Sequence, residues 1–136
     1  MIIDADGMIL GRLASFAARK SLLGENIDIV NSEKAIVTGN RRHLTEHYTH
    51  KVQRGGPLHG PYYPKEAHLL IKRVIRGMLP YRQERGLLAL KRIKCHLGVP
   101  KLLEGKEMTK VDEAHKARLQ TKKYLTIGEL SKLLGA

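Results

Sequence analysis

Residues 2–30 read IIDADGMILGRLASFAARKSLLGENIDIV, and this stretch decides the fold class. The β-branched run at 2–5 ends at Asp6-Gly7, which is typical of a strand followed by a turn. Apolar residues then recur at helical spacing from Leu10 to Leu23, and a second β-branched run follows at 27–30. A strand, a helix and a strand in this order predict a layered α/β fold with a mostly parallel sheet.

The rest of the chain continues this alternation within a length that suits one domain, residues 1–136. A loop is predicted at 53–65 because its glycines and prolines oppose regular structure. Gly77 is expected to allow the close approach of another backbone, and Pro80 to end its helix. Residues 101–136 are expected to form a C-terminal extension. Further strands are predicted at 35–38 and 92–97, and further helices at about 40–52, 66–79, 82–90 and 127–134.

The charge of the chain points to a polyanionic partner. The formal net charge is +12, and residues 31–101 hold 15 lysines and arginines against four acidic residues, which gives this segment +11. Nucleic acid is the first expectation for such a partner, ahead of an anionic membrane surface. No apolar run approaches the roughly 18–20 residues that a spanning helix needs. No leader segment is recognisable, and Cys95 is alone, so a cytoplasmic protein without disulfides is expected.

Two motifs raise the possibility of an enzyme. Gly7 and Gly11 follow the first strand, but a dinucleotide site needs a third glycine at fixed spacing. His43 and His47 match the H-x-x-E-H pattern of inverted zinc peptidases, yet no third ligand is evident. Histidine in a basic segment also suits phosphate contact. We therefore expect no catalysis, no cofactor and no metal.

The basic segment supplies the residues predicted to bind RNA. On the helix at 66–79, Ile71, Val74, Ile75 and Met78 should face the sheet and leave the cations on the outer side. The two loop tyrosines could stack on unpaired bases or pack against the sheet. The predicted RNA-binding residues are Arg41, Arg42, Lys51, Arg54, Tyr62, Tyr63, Lys65, Lys72, Arg73, Arg76, Arg82, Arg85, Lys91, Arg92 and Lys94.

Six motifs follow one another along the chain. They are Gly11-Arg12-Leu13-Ala14, the stretch 30–40 (VNSEKAIVTGN), Gly60-Pro61-Tyr62-Tyr63, the stretch 74–80 (VIRGMLP), Leu97-Gly98-Val99-Pro100 and the ending 128–135 (GELSKLLG). Together, in this order, they make the chain resemble the archaeal form of the large-subunit ribosomal protein thirteen family. The resemblance implies a three-layer α/β/α fold with a four-stranded, mostly parallel sheet, a C-terminal tail and a short helix.

The resemblance also implies a function. It implies a structural constituent of the large ribosomal subunit that binds and stabilises folded large-subunit rRNA early in assembly. The expected partners are that rRNA and neighbouring large-subunit ribosomal proteins, with no membrane and no homo-oligomer, in the cytoplasm. The loop at 53–65 is expected to face RNA. The alternatives are a free regulatory RNA-binding module and, less favoured, an enzyme that acts on RNA or depends on zinc.

Overall fold

The computed structural model describes all 136 residues, and it alternates strands and helices as the sequence predicts. The predicted α/β class with a mostly parallel sheet is confirmed. None of the helices is both long and apolar enough to cross a membrane. The elements are β1 (Ile2–Asp4), α1 (Leu10–Leu22), β2 (Ile27–Val30), β3 (Ile36–Thr38), α2 (Arg41–Gln53), α3 (Ala67–Met78), α4 (Glu84–Lys91), β4 (Ile93–Cys95), β5 (Tyr124–Thr126) and α5 (Ile127–Leu133).

The parallel sheet has three strands, in the order β1-β2-β4. Its fourth position is held by a single residue of the C-terminal region, Thr109, which forms a parallel bridge with Ile3. The Asp4 N–H donates to the Thr109 carbonyl at 3.0 Å, and the Thr109 N–H donates to the Ile2 carbonyl at 2.8 Å. The sheet expected to have four full strands therefore has three and one bridge.

The strand predicted at 35–38 lies elsewhere. This strand, β3, pairs antiparallel with β5, and a lone bridge between Ile36 and Ile9 links it to the segment after β1. The reason is local, because Asn31 ends β2 in the left-handed conformation with φ 55° and a 3-10 turn at Ser32–Lys34 follows. This turn redirects the chain before β3 begins.

Helices α1 and α3 bury most of the apolar positions that their spacing predicts, and the exceptions are Leu22 at the end of α1, which is 40% exposed, and Met78. Ile71 and Ile75 are fully buried in α3, and Val74 packs at the edge of the core. Met78 was predicted to face the sheet, and that prediction is wrong, since its side chain is 42% exposed. Leu79 leaves the helix in extended conformation and is buried in its place.

The C-terminal region, residues 101–136, packs into the hydrophobic core. The Ile127 N–H donates to the Ala35 carbonyl at 2.8 Å, and the Ser131 hydroxyl donates to the Lys65 carbonyl at 2.7 Å. Thr126 caps α5 by accepting from the Glu129 N–H. Buried residues contributed by 101–136 are Val111, Ala114, Leu125, Ile127, Leu130 and Leu134.

A close backbone contact lies at Gly86 and not at Gly77. A Cβ on Gly77 would meet nothing within 4 Å, so the expected close approach at this residue is wrong. A Cβ on Gly86 would instead collide with the carbonyl group of Pro80. The chain turns back between α3 and α4, and this turn brings the two backbones together.

Cys95 should be nearly unreactive while the protein is folded. Burial raises the pKa of its thiol to about 12, with Lys72 opposing the rise and Asp28 adding to it. Because the thiolate is the nucleophile, reaction with a disulfide reagent at pH 8 should be at least about a hundredfold slower than in the denatured chain. The reaction should accelerate only as the pH approaches this pKa. Equal rates in native and denaturing buffer would contradict this burial.

Candidate nucleic-acid interface

The last turn of α2 brings a lysine to two aromatic rings. Asn40 starts this helix, its side chain accepting from the Arg42 N–H at 3.1 Å. Thirteen residues later the helix ends beside the Gly/Pro-rich loop. Here the Lys51 ammonium lies 5.2 Å from the Tyr48 ring centre and 5.5 Å from that of Tyr63. Both distances allow a cation–π interaction.

Tyr63 connects this helix to α3. Its ring packs against the core, 6.3 Å from the Tyr48 ring, and the Arg73 guanidinium lies over it at 5.6 Å. Burial raises the pKa of Tyr63, Tyr48 raises it further and Arg73 opposes the rise, so the ring is neutral at pH 7. Tyr62, its neighbour in the loop, is 65% exposed. Of the two loop tyrosines, Tyr63 therefore packs against the core and Tyr62 is open to solvent.

Tyr81 lies beside two arginines at the C-terminal end of α3. The guanidinium groups of Arg76 and Arg82 lie 4.7 Å and 5.9 Å from the Tyr81 ring centre. Each ring limits the motion of its cations, which lowers the entropy lost when they bind a ligand. We call the resulting set the tyrosine–cation surface: Lys51, Tyr63, Lys72, Arg73, Arg76, Tyr81 and Arg82.

A shallow groove of about 230 Å³ crosses the middle of this surface. Pro64, Leu69 and Leu90 supply its apolar part, and Lys72, Arg73 and Arg76 surround it with positive charge. An apolar floor between cations suits a ligand with flat apolar faces and anionic groups, which is the chemistry of a nucleotide chain.

The positive charges of this region are almost entirely unpaired. Among the 13 cations predicted to bind RNA, Arg42 alone contacts a carboxylate, that of Glu46 at 3.1 Å. The other ion pairs of the chain are Lys20–Glu25, His68–Glu66, His96–Asp28 and Lys110–Asp4. Unneutralised cations on neighbouring elements create the field that attracts a polyanion.

Comparison with known proteins identifies the family. Residues 1–102 match the family model described as Ribosomal protein L13. The chain belongs to the ribosomal protein L13 family. It is 45% identical over 136 residues to the large ribosomal subunit protein uL13 of Methanopyrus kandleri, covering 98% of this chain and 86% of that one. It is 43% identical to the uL13 of Methanosarcina barkeri, covering 99% and 97% of the two chains.

Membership of the L13 family confirms two expectations. Its members are ribosomal proteins rather than enzymes, and these relatives are archaeal. A third archaeal relative, the uL13 of Archaeoglobus fulgidus, is 43% identical and covers 98% of this chain. The resemblance on which the sequence-based interpretation depended is therefore confirmed over nearly the whole chain.

The remaining predicted residues of this L13 chain do not form one cluster. Arg41 and Arg42 lie at the start of α2, about 15 Å along the helix from Lys51. Arg92 is half-buried and donates to the Ser21 carbonyl at 3.0 Å, so it also ties α4 to α1. Exposed cations elsewhere on the chain complete the set: Arg54, Lys65, Arg85, Lys91 and Lys94.

Some candidate residues of this L13 protein were not predicted from the sequence. Tyr81 was overlooked, although its position directly between Pro80 and Arg82 after a basic helix was a usable signal. Arg12, Arg19 and Arg118 line a second, larger groove of about 790 Å³. Arg12 and Arg19 were missed because residues 1–30 hold three cations against four acidic residues, so that segment has no excess of positive charge. Arg118 was missed because residues 102–136 hold seven cations against five acidic residues, a small excess.

Two of the three histidines of α2 form a stacked pair. The rings of His43 and His47 are 6.2 Å apart and inclined by 17°. Desolvation of the ring is the main cause that lowers the pKa of His47, and the positive charges of Lys51, His43 and His50 lower it further. His47 therefore adds little charge at pH 7. No third His, Cys, Asp or Glu side chain joins them in a group that could hold a metal ion.

Proposed function

We propose that this protein holds folded large-subunit rRNA in place, as a structural constituent of the large ribosomal subunit. The observation that carries this proposal is the set of cations without carboxylate partners on and around the tyrosine–cation surface. Membership of the L13 family supports the ribosomal setting. In this proposal the protein lies beside neighbouring large-subunit proteins, in the archaeal cytoplasm.

The binding mechanism that we propose needs no chemical step. Each lysine or arginine that neutralises a phosphate releases condensed counterions, which gives affinity without sequence preference. Selectivity comes from shape, because the ring-held arginines present their guanidinium groups at fixed positions. The apolar groove and Tyr62 add surfaces on which an unpaired base can rest.

The loop at 53–65 contributes to RNA binding in this proposal. Its residues from Gly56 to Tyr62 are exposed and bury little apolar surface of their own. We expect it to make its lasting contacts with rRNA rather than with the protein core. We propose in addition that the protein binds early in assembly, where it would stabilise the RNA shape that it fits.

Sedimentation tests this function against the free regulatory module. A tagged chain should sediment almost wholly with large subunits in a sucrose gradient run at low magnesium, where the two subunits separate. Ribonuclease treatment should shift it to the top. A tagged chain that remains at the top without treatment, or sediments with small subunits, would contradict the proposal.

A further inference from the structure

A second groove lies on the exposed face of α1. It has a volume of about 790 Å³ and runs between this helix, the end of α3 at Met78 and the C-terminal segment 111–118. Phe16 and Met78 supply apolar surface within it. Arg12, Arg19 and Arg118 supply positive charge, and Glu113 is the one acidic residue of its lining. This groove is larger than the one on the tyrosine–cation surface.

Two of the three arginines are held by hydrogen bonds that leave their charge unneutralised. Arg12 donates from Nη1 to the Glu113 carbonyl at 3.0 Å, and Arg118 donates from Nε to the Asp112 carbonyl at 3.2 Å. Both partners are backbone oxygens, and none of the three arginines contacts a carboxylate within ion-pair distance. Each guanidinium therefore keeps further N–H groups and its whole charge for a ligand.

The spacing on α1 makes a linear array. Arg12, Ser15 and Arg19 are three and four residues apart, so they share one face of the helix. Arg12 and Arg19 are separated by about 10.5 Å along the axis. A Cβ on Gly11 would meet nothing within 4 Å, so the first turn of this face leaves room for a bulky ligand.

We propose that the α1 groove binds the sugar–phosphate backbone of a second RNA segment, separate from the segment on the tyrosine–cation surface. This inference rests on the proposed function. Repeated like charges along a helix match the repeated phosphates of one strand, and guanidinium groups bind phosphate oxygens in pairs. Met78, which lines the groove, is two residues beyond Arg76, so the groove begins where the tyrosine–cation surface ends.

Two bound segments would give the protein a joining role. A chain with one basic face fixes the position of one RNA element. A chain with basic grooves on α1 and α3, which pack against each other, fixes the distance between two elements. An acidic segment of a neighbouring protein is the competing occupant, and the experiments below separate the two.

The first test compares two variants that lose the same charge. Arg12→Gln/Arg19→Gln removes two cations of the groove and keeps good helix formers. Lys122→Gln/Lys123→Gln is the control, since both lysines are exposed and outside both grooves. Binding to large-subunit RNA should weaken about tenfold in the groove variant, and the log–log salt slope should fall by about 1.4–1.8 for two phosphate contacts. The control should stay within about twofold of wild type.

The outcomes distinguish this inference from the proposed function. A wild-type protein that does not bind large-subunit RNA defeats the proposed function. A wild-type protein that binds, with a groove variant equal to the control, overturns the α1 site alone. Circular dichroism and melting of each variant confirm that the fold is intact.

A photo-crosslinking residue in place of Ser15 provides the second measurement, on assembled large subunits. Ser15 is exposed and lies between the two arginines of α1. A crosslink to rRNA is expected, at nucleotides different from those reached by the same residue in place of Leu69. A crosslink to a neighbouring protein, or none, overturns the proposal.

Discussion

Alanine in place of Gly86 should lower the melting temperature of the protein by about 5–15 °C. Gly86 is buried in the first turn of α4, and a Cβ there would collide with the carbonyl group of Pro80 and lie 2.9 Å from the Tyr81 nitrogen. Both neighbours are backbone atoms, so relief requires the turn between α3 and α4 to move. Overpacking of this kind costs about 1–3 kcal/mol, and sometimes more.

Gly77→Ala is the matched control, with the opposite sign. Gly77 lies in the last turn of α3, and nothing within 4 Å would meet its Cβ. Alanine there restricts the unfolded chain and should stabilise the protein by about 0.5–1 kcal/mol. Thermal melting of the two variants measures both effects. An unchanged melting temperature for Gly86→Ala, or a lower one for Gly77→Ala, would contradict the contacts described.

Local sequence patterns predicted most of the helices and the parallel strands. The apolar spacing of α1 and α3 is strong, and each helix ends shortly before a glycine or a proline, which favour a helix end. Thr109 and β5 left no comparable signal. Their positions depend on pairing with residues more than 80 positions away in the sequence. A three-residue strand is too short to show a periodic pattern, and such a pattern would not identify a distant pairing partner.

The candidate site was predictable in composition but not in arrangement. Charge counting found the cations of residues 31–101, because their excess is large. It did not find which aromatic ring holds which arginine, since that depends on how the chain turns after Pro80. Arg118 joins Arg12 in one groove although 106 positions separate them. The expectation of a close backbone approach at Gly77 was wrong for the same reason, because a close contact is set by the path of both backbones.

The double variant Arg73→Gln/Arg76→Gln should lose much of the affinity for large-subunit RNA. The two arginines lie three residues apart on the half-exposed side of α3, and neither has a carboxylate partner. Two phosphate contacts should therefore vanish, with a loss of at least about tenfold in affinity. The buried face keeps Ile71 and Ile75, so the fold should lose only the cation–π contacts, about 0.5–1 kcal/mol each.

A charge-preserving variant separates electrostatics from geometry. Arg73→Lys/Arg76→Lys keeps both positive charges but lacks the planar group that lies over Tyr63 and Tyr81. Its salt dependence should match that of the wild type, while its affinity should fall to an intermediate value. Equal affinity for this variant and the wild type would mean that the planar guanidinium groups are not needed for RNA binding.

The salt dependence of RNA binding is the most direct test of the tyrosine–cation surface. The dissociation constant for large-subunit RNA is measured between about 50 and 200 mM salt for the wild type, Arg73→Gln/Arg76→Gln and the control Lys122→Gln/Lys123→Gln. The log–log slope should be steep for the wild type and the control, and smaller by about 1.4–1.8 for the α3 variant. Identical slopes and affinities for all three proteins would contradict RNA binding through this surface.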